Sequence, residues 1–333
     1  MYLDFVSLFS LPLCCGSVIQ IIYFGVNGMS LKFERFAIIP ASATMFDAEQ
    51  RFDAAAQKRL IAMLLSKNVD GFYVAGASGE AFLMTPEERK AVISVSLEAI
   101  GGRVPAIVYT GSNDTKTAVE LSQFAQKEGA DAISSVRPYY GGFSAEQIRS
   151  YYKTVSECVD IPLIVYNNPT ARMSGMGEIM DICTLPNCGG IKYTLTNHYE
   201  MALIKRALGD KLVLSGVDEM FASGMAAGAD GAIGTTYNLA PELFWQIRDA
   251  FENGRNDEVI HLNRAAACLI ELLLRRSYMA CMKAILQSWG IGTNMTKAPN
   301  SVLTEDEFQA LRAELMSLRT EFDIRNVALF DRL

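Results

Sequence analysis

From residue 36 onward the chain alternates short apolar runs with longer amphipathic stretches, and the alternation repeats eight times with no composition break that would mark a linker. The runs at 36–40, 71–74, 106–110, 132–135, 163–166, 190–192, 212–215 and 231–234 have the length and continuous apolar character of buried parallel strands. Helix starts between them are legible. Thr85-Pro86-Glu87-Glu88 offers an N-cap, a proline at the first helical position and acids in the first turn, and Ser144-Ala145-Glu146 offers a similar start. Gly71, Gly129, Gly189 and Gly209 are expected at chain reversals next to helices. Eight alternating strand and helix units predict an α/β fold, a (β/α)8 TIM barrel closed on itself, in preference to an open sheet. After the eighth strand the pattern is helical only, at 241–252, 257–275, 278–289 and 304–320. The first of these completes the barrel and the others form an appended C-terminal helical bundle. The expected division is an apolar extension over 1–32, a barrel over 33–253 and a bundle over 254–333.

The extension stands apart because residues 5–31 carry no charge. Asp4 stands where a signal peptide has its basic region, and Pro12, Gly16, Gln20 and Asn27 interrupt it as a spanning helix. Three readings stay open: a stretch upstream of a start at Met29, a packing arm, and a membrane anchor.

In 333 residues, half of them hydrophobic, 30 basic and 37 acidic residues leave a net charge of −7 and no basic run interleaved with aromatics. Nucleic acid is therefore not an expected partner, nor is a membrane. Seven cysteines, an odd number with no CxxC pair, suit reduced thiols in a cytoplasmic protein. With only His198 and His261 present, a three-histidine zinc site cannot be built, so no metal is expected.

Against this background Lys192 is the unusual residue, since Gly190-Ile191-Lys192 reads as a buried strand. Lysine is almost never fully buried unpaired, and desolvation favours its neutral, nucleophilic amine. The competing reading is a lysine that snorkels to the rim of the sheet. In a barrel of this kind the active site lies at the carboxyl ends of the strands, which makes the residues there informative. Strand two is followed by Ala75-Gly76-Ala77-Ser78-Gly79-Glu80, able to present backbone N–H groups and a hydroxyl to an anion, or simply an ordinary Gly-rich turn. Strands four and five end in Arg137-Pro138-Tyr139-Tyr140 and Tyr166-Asn167-Asn168-Pro169, where a phenol can relay a proton or cap the core. Strand seven leads into Gly216-Val217-Asp218-Glu219 and strand eight into Thr235-Thr236-Tyr237-Asn238. The acids suit a polyhydroxylated ligand, or else a helix N-terminus.

These motifs, in this order, resemble those of the N-acetylneuraminate lyase and dihydrodipicolinate synthase superfamily of class I aldolases over about residues 36–315. Gly76–Phe82 resembles that family's pyruvate-carboxylate loop, Arg137–Tyr140 its first tyrosine motif, Tyr166–Pro169 its catalytic tyrosine motif and Gly190–Thr194 its Schiff-base strand. The resemblance implies Lys192 as imine-forming amine, Tyr166 as proton-transfer phenol and Tyr140 as a supporting tyrosine near a subunit interface. It implies Ser78 with the backbone of Gly79 as carboxylate binder, with Ala77 in the same loop. No cofactor is implied beyond the covalent imine with Lys192, and a homotetramer is. Gly216–Asn238 looks like the sialic acid branch, in which residues matching Thr194, Gly216, Asp218, Glu219 and Thr235 contact the sugar portion. The implied small-molecule substrate is a 2-oxo sugar acid, N-acetylneuraminate, cleaved reversibly to pyruvate and N-acetylmannosamine. Another pyruvate-dependent aldolase activity and a non-catalytic sugar-acid sensor are the alternatives.

The chain departs from the family pattern in places. Ala77 replaces the first of two hydroxyl residues, a lost donor worth about 1.5 to 3 kcal/mol if nothing replaces it. The usual Thr-Pro pair is altered within 41–46, and Arg137 stands where a small polar residue is common. The 26 residues from Tyr166 to Lys192 are about two fewer than the family spacing, which predicts a remodelled loop over 170–177.

Overall fold

A computed structural model describes residues 31–333, so the expected extension lies almost wholly outside the described residues. The strands are β1 (Ala37–Pro40), β2 (Phe72–Val74), β3 (Ala106–Tyr109), β4 (Ala132–Val136), β5 (Leu163–Asn167), β6 (Cys188–Tyr193), β7 (Leu212–Ser215) and β8 (Gly231–Gly234). All adjacent pairs are parallel, in the order β1-β8-β7-β6-β5-β4-β3-β2. Just beyond β1, Ala41 bridges to Tyr73 and the Ser42 N–H donates to the Tyr73 carbonyl at 3.0 Å, which brings the two ends of the sheet together. The expected barrel is present.

Between the strands run α1 (Ala54–Ser66), α2 (Pro86–Ile100), α3 (Thr115–Lys127), α4 (Ala145–Glu157), α5 (Met176–Cys183), α6 (His198–Leu208) and α7 (Phe221–Ala226), with α8 (Pro241–Glu252) completing the ring. Their starts follow from local chemistry. Thr85 and Ser144 each form a capping box, with Glu88 and Gln147 respectively, and Pro86 occupies the first turn of α2. Then come α9 (Asn256–Leu274), α10 (Tyr278–Ser288), α11 (Glu305–Glu321) and a short α12 (Ala328–Asp331) that the pattern did not announce. One hydrophobic core continues from the barrel strands into α9, α10 and α11. No helix among the described residues is long and apolar enough to cross a membrane.

One glycine departs from expectation. Gly129 and Gly209 do adopt positive φ at reversals, but Gly189 lies inside β6, which starts earlier than its apolar run suggested. Its place there is steric, because a Cβ on Gly189 would stand 2.7 Å from the Cβ of Pro162. At the amino-terminal end of the strands, the buried Asp70 accepts from Arg35, Arg248 and the Ile38 N–H, beside a cavity of about 870 Å³. The two guanidinium partners compensate the buried carboxylate, which makes the cluster structural.

Candidate active site

Register places the central pair. Tyr166 and Lys192 are direct partners across β5 and β6, so both side chains leave the sheet on one face, inside the barrel. Lys192 is 5 % exposed, which excludes the rim position. Its Nζ lies 4.2 Å from the ring centroid of Tyr166 and 4.3 Å from that of Tyr73. No carboxylate lies within salt-bridge distance of it among the described residues, so the amine is held by aromatic faces rather than by a counter-ion.

Two tyrosines that the sequence reading passed over complete this box. Tyr73 in β2 stands edge-on to Tyr166 at 6.1 Å between centroids and donates its hydroxyl to Ser134 Oγ at 3.0 Å. Tyr109 at the end of β3 meets Tyr166 at 6.3 Å, and the Arg89 guanidinium lies 5.2 Å from its centroid. Burial pushes both phenols well above the usual range, so both stay protonated. The signal was available: each is a polar-tipped aromatic inside an apolar strand candidate, but a lone tyrosine there reads first as core.

The loop after β2 folds as two 3₁₀ turns, Ala77–Gly79 and Ala81–Leu83, joined by Glu80. The Gly79 N–H donates to the Gly76 carbonyl at 3.0 Å to close the first turn and is not free for a ligand in this conformation. The N–H groups of Ala77 and Ser78 have no acceptor among the described residues. Ser78 Oγ lies 2.6 Å from Thr235 Oγ1, joining the loops after β2 and β8. Thr44 adds a buried hydroxyl without a partner beside this loop, since a Cβ on Gly79 would meet its Oγ1 at 2.9 Å. That hydroxyl stands next to the loop in which Ala77 carries none.

On the opposite side of the mouth, Asp218 begins a 3₁₀ turn (Asp218–Met220), is 8 % exposed and accepts the Thr236 N–H at 2.8 Å. Burial pushes its carboxyl up to about 6, against the lowering effect of Thr236. Two glycines make this side possible. A Cβ on Gly234 would stand 1.9 Å from Asp218 Oδ1, and one on Gly216 1.9 Å from Thr194 Oγ1. The Thr194 hydroxyl is buried and unpartnered. Glu219 is exposed at the rim, its carbonyl accepting from Asn263 of α9. The Thr236 hydroxyl pairs with the Tyr278 hydroxyl at 2.8 Å, and Asn238 ties the β8 loop to Ala41 and Ala43.

Between these sides opens a cavity of about 360 Å³, lined in part by Ala77, Phe82, Tyr139, Tyr166, Pro169 and Thr194. Tyr139, not Tyr140, reaches it; Tyr140 is 80 % exposed, and the described chain does not bring it to Lys192. Arg137 has a local explanation. Its Nη1 donates to Glu178 Oε1 at 3.1 Å, and Glu178 Oε2 accepts from both N and Oγ of Ser174, so the arginine anchors the loop that closes the cavity. Asn167 and Asn168 brace the same loop by accepting the N–H groups of Met173 and Ala171. The five cysteines among the described residues are free, and no group of three or more His, Cys, Asp or Glu side chains there is arranged to hold a metal ion.

The barrel with a lysine and a tyrosine side by side within its mouth defines a barrel enzyme, and comparison with known proteins makes it a carbon–carbon lyase. A model of the dihydrodipicolinate synthetase family matches residues 34–318, and the chain belongs to that family. It is 36 % identical over 277 residues to the N-acetylneuraminate lyase of Rhizobium meliloti strain 1021, covering 83 % of this chain and 92 % of that one. Among solved structures it is similar to a catalytic lysine mutant of the Ruminococcus gnavus sialic acid aldolase, with TM-score 0.82, 25 % identity and coverage of 88 % and 99 %. It is also similar to the N-acetylneuraminate lyase of Fusobacterium nucleatum complexed with pyruvate, with TM-score 0.79, 26 % identity and coverage of 86 % and 97 %.

Proposed function

We propose that the protein is a Schiff-base aldolase that cleaves N-acetylneuraminate reversibly to pyruvate and N-acetylmannosamine. The observation that carries this reading is Lys192, buried inside the barrel beside Tyr166, with aromatic faces around it and no carboxylate against it among the described residues. The relatives named N-acetylneuraminate lyase and the pyruvate complex of one of them support the choice of substrate.

The Lys192 amine adds to the keto carbon of the open-chain substrate, and loss of water from the carbinolamine leaves an iminium. The iminium draws the electrons of the bond between carbons three and four. Tyr166, left as the phenolate once its proton has gone to the departing water, takes the hydroxyl proton on carbon four, the aldehyde departs, and an enamine of pyruvate remains on the lysine. Proton return to carbon three and addition of water release pyruvate and free the amine. The substrate carboxylate is taken by the Ser78 hydroxyl and the free N–H groups of Ala77 and Ser78, with Thr44 the added donor and Gly79 the hinge of the turn. Asp218, Glu219, Thr194 and Thr235, with the backbone at Gly216, take the sugar hydroxyls and the acetamide. Tyr140, exposed on one chain, is assigned to a contact between subunits of a tetramer in the cytoplasm, and sedimentation at micromolar concentration checks the assembly.

A panel of 2-oxo-3-deoxy sugar acids tests the substrate. Pyruvate release from N-acetylneuraminate at the highest kcat/KM of the panel is expected. Release from another sugar acid alone would replace the sialic acid assignment with the second aldolase reading, and release from none would favour the sensor.

A further inference from the structure

A second lysine is buried more completely than Lys192, and the reaction does not use it. Lys283, in the middle of α10, is 0 % exposed. Its Nζ donates to the Thr44 carbonyl and, at 3.3 Å, to the Met295 carbonyl, and it lies 4.4 Å from the ring centroid of Phe46. Its counter-ion is Glu80, whose Oε1 stands 3.2 Å from Nζ. Glu80 follows Ser78 and Gly79 directly. It holds a left-handed backbone, φ 59°, which a residue with a Cβ adopts at a cost. Its other oxygen accepts the Lys297 N–H at 2.8 Å and the Asn300 side-chain amide at 2.9 Å. Every anchor of this carboxylate among the described residues therefore lies in α10 or the segment just after it, outside the barrel strands. Through Lys283 the loop after β1, carrying Thr44, and the loop after β2, carrying Ser78, are fixed to one point.

We propose that Glu80 and Lys283 are positioning residues whose buried pair holds the two anion-binding loops together and thereby sets the affinity for the carboxylate of the 2-oxo acid. The inference rests on the assignment of that carboxylate to the Ser78 loop. A buried pair broken at one partner leaves an uncompensated charge, and the loop that carries it must move toward water. Such a movement misplaces the carboxylate donors without touching Lys192 or Tyr166, so binding suffers and the chemical step does not.

The test compares pyruvate labelling of Lys192 by borohydride in the full chain, in Glu80→Gln and in Lys283→Met, with Lys67→Met as control. Lys67 pairs with Glu242 at 2.7 Å, is also buried and touches none of the site residues named above. The expected result is that Glu80→Gln and Lys283→Met need about tenfold more pyruvate for half-maximal labelling, the effect of misplacing one charge-assisted hydrogen bond, yet reach full labelling at saturation. Lys67→Met should lower the melting temperature and leave the half-maximal concentration unchanged. Should Lys283→Met not fold, Glu80→Gln decides, since its amide retains an oxygen for the Lys297 N–H. An unchanged half-maximal concentration in Glu80→Gln overturns the inference, as does an equal rise in Lys67→Met. No labelling of the unsubstituted protein overturns the carboxylate assignment and the inference with it.

Discussion

Lys192 and Lys283 are both buried, one in the barrel strand β6 and the other in α10 behind the loops of the mouth, and their surroundings are opposite. Lys283 has a carboxylate at 3.2 Å and two backbone carbonyls, and burial still pushes it down to about 8, with Glu80 acting in the other direction. Lys192 has two aromatic faces and, among the described residues, no anion at contact distance. A lysine that serves as a strut is surrounded by acceptors that hold it in place, whereas one that must form and break a covalent bond has a neighbour able to exchange a proton and no ion pair to give up. The same contrast distinguishes the loops. The Glu80 side is fixed by α10 and the segment after it, while Ser78, Thr194 and Thr44 present hydroxyls that their own chain has not fully used.

Substituting each lysine by methionine should separate the two roles. Lys192→Met is expected to lower kcat by about 10⁴-fold or more, as loss of a nucleophile does, with no loss of stability because no pair is broken. Turnover assays and chemical denaturation check both halves. Tyr166→Phe keeps the ring against Lys192 and removes the phenol; kcat should fall by about 10² to 10⁴-fold while borohydride labelling by pyruvate persists at long incubation. Lys283→Met breaks a buried pair and should cost about 3 to 5 kcal/mol of unfolding free energy, read from denaturant midpoints, with Lys192 still labelled at saturating pyruvate.

Asp218→Asn should change stability less than Lys283→Met does, and with the opposite sign. Because burial raises the Asp218 carboxyl from 3.8 to about 6, the stability that this group contributes is complete below pH 3.8 and is lost as pH rises through about 6. At pH 7 the asparagine variant should therefore be more stable by about 2 to 3 kcal/mol, a gain that vanishes below about pH 4. Its KM for the sugar acid should rise about tenfold at pH 7, where an ionised acceptor is lost. In the unsubstituted enzyme KM should rise as pH falls through about 6.

The barrel was legible because its signals are local. Apolar runs marked the strands, and Thr85 and Ser144 formed the capping boxes that their neighbours suggested. Lys192 and Tyr166 were legible because both stand in strands whose register then made them partners. What escaped depends on contacts between residues remote in sequence. Lys283, in Cys281-Met282-Lys283-Ala284, reads as an ordinary helix lysine until Glu80 is brought against it. Tyr73 and Tyr109 look like core until the barrel brings Tyr73 over the Lys192 amine and Tyr109 against the Tyr166 ring, and the three-residue turns at Ala77–Gly79 and Asp218–Met220 are too short to show a period. The turn at Ala77–Gly79 also withdrew the Gly79 N–H from the donors expected there and left those of Ala77 and Ser78 free.

The most direct test of the account is to incubate the protein with pyruvate and borohydride, digest it and locate the added mass. One reduced carboxyethyl adduct is expected, on Lys192, absent when borohydride is consumed before pyruvate is added and absent in Lys192→Met. An adduct on Lys283, or none on any lysine, would contradict it.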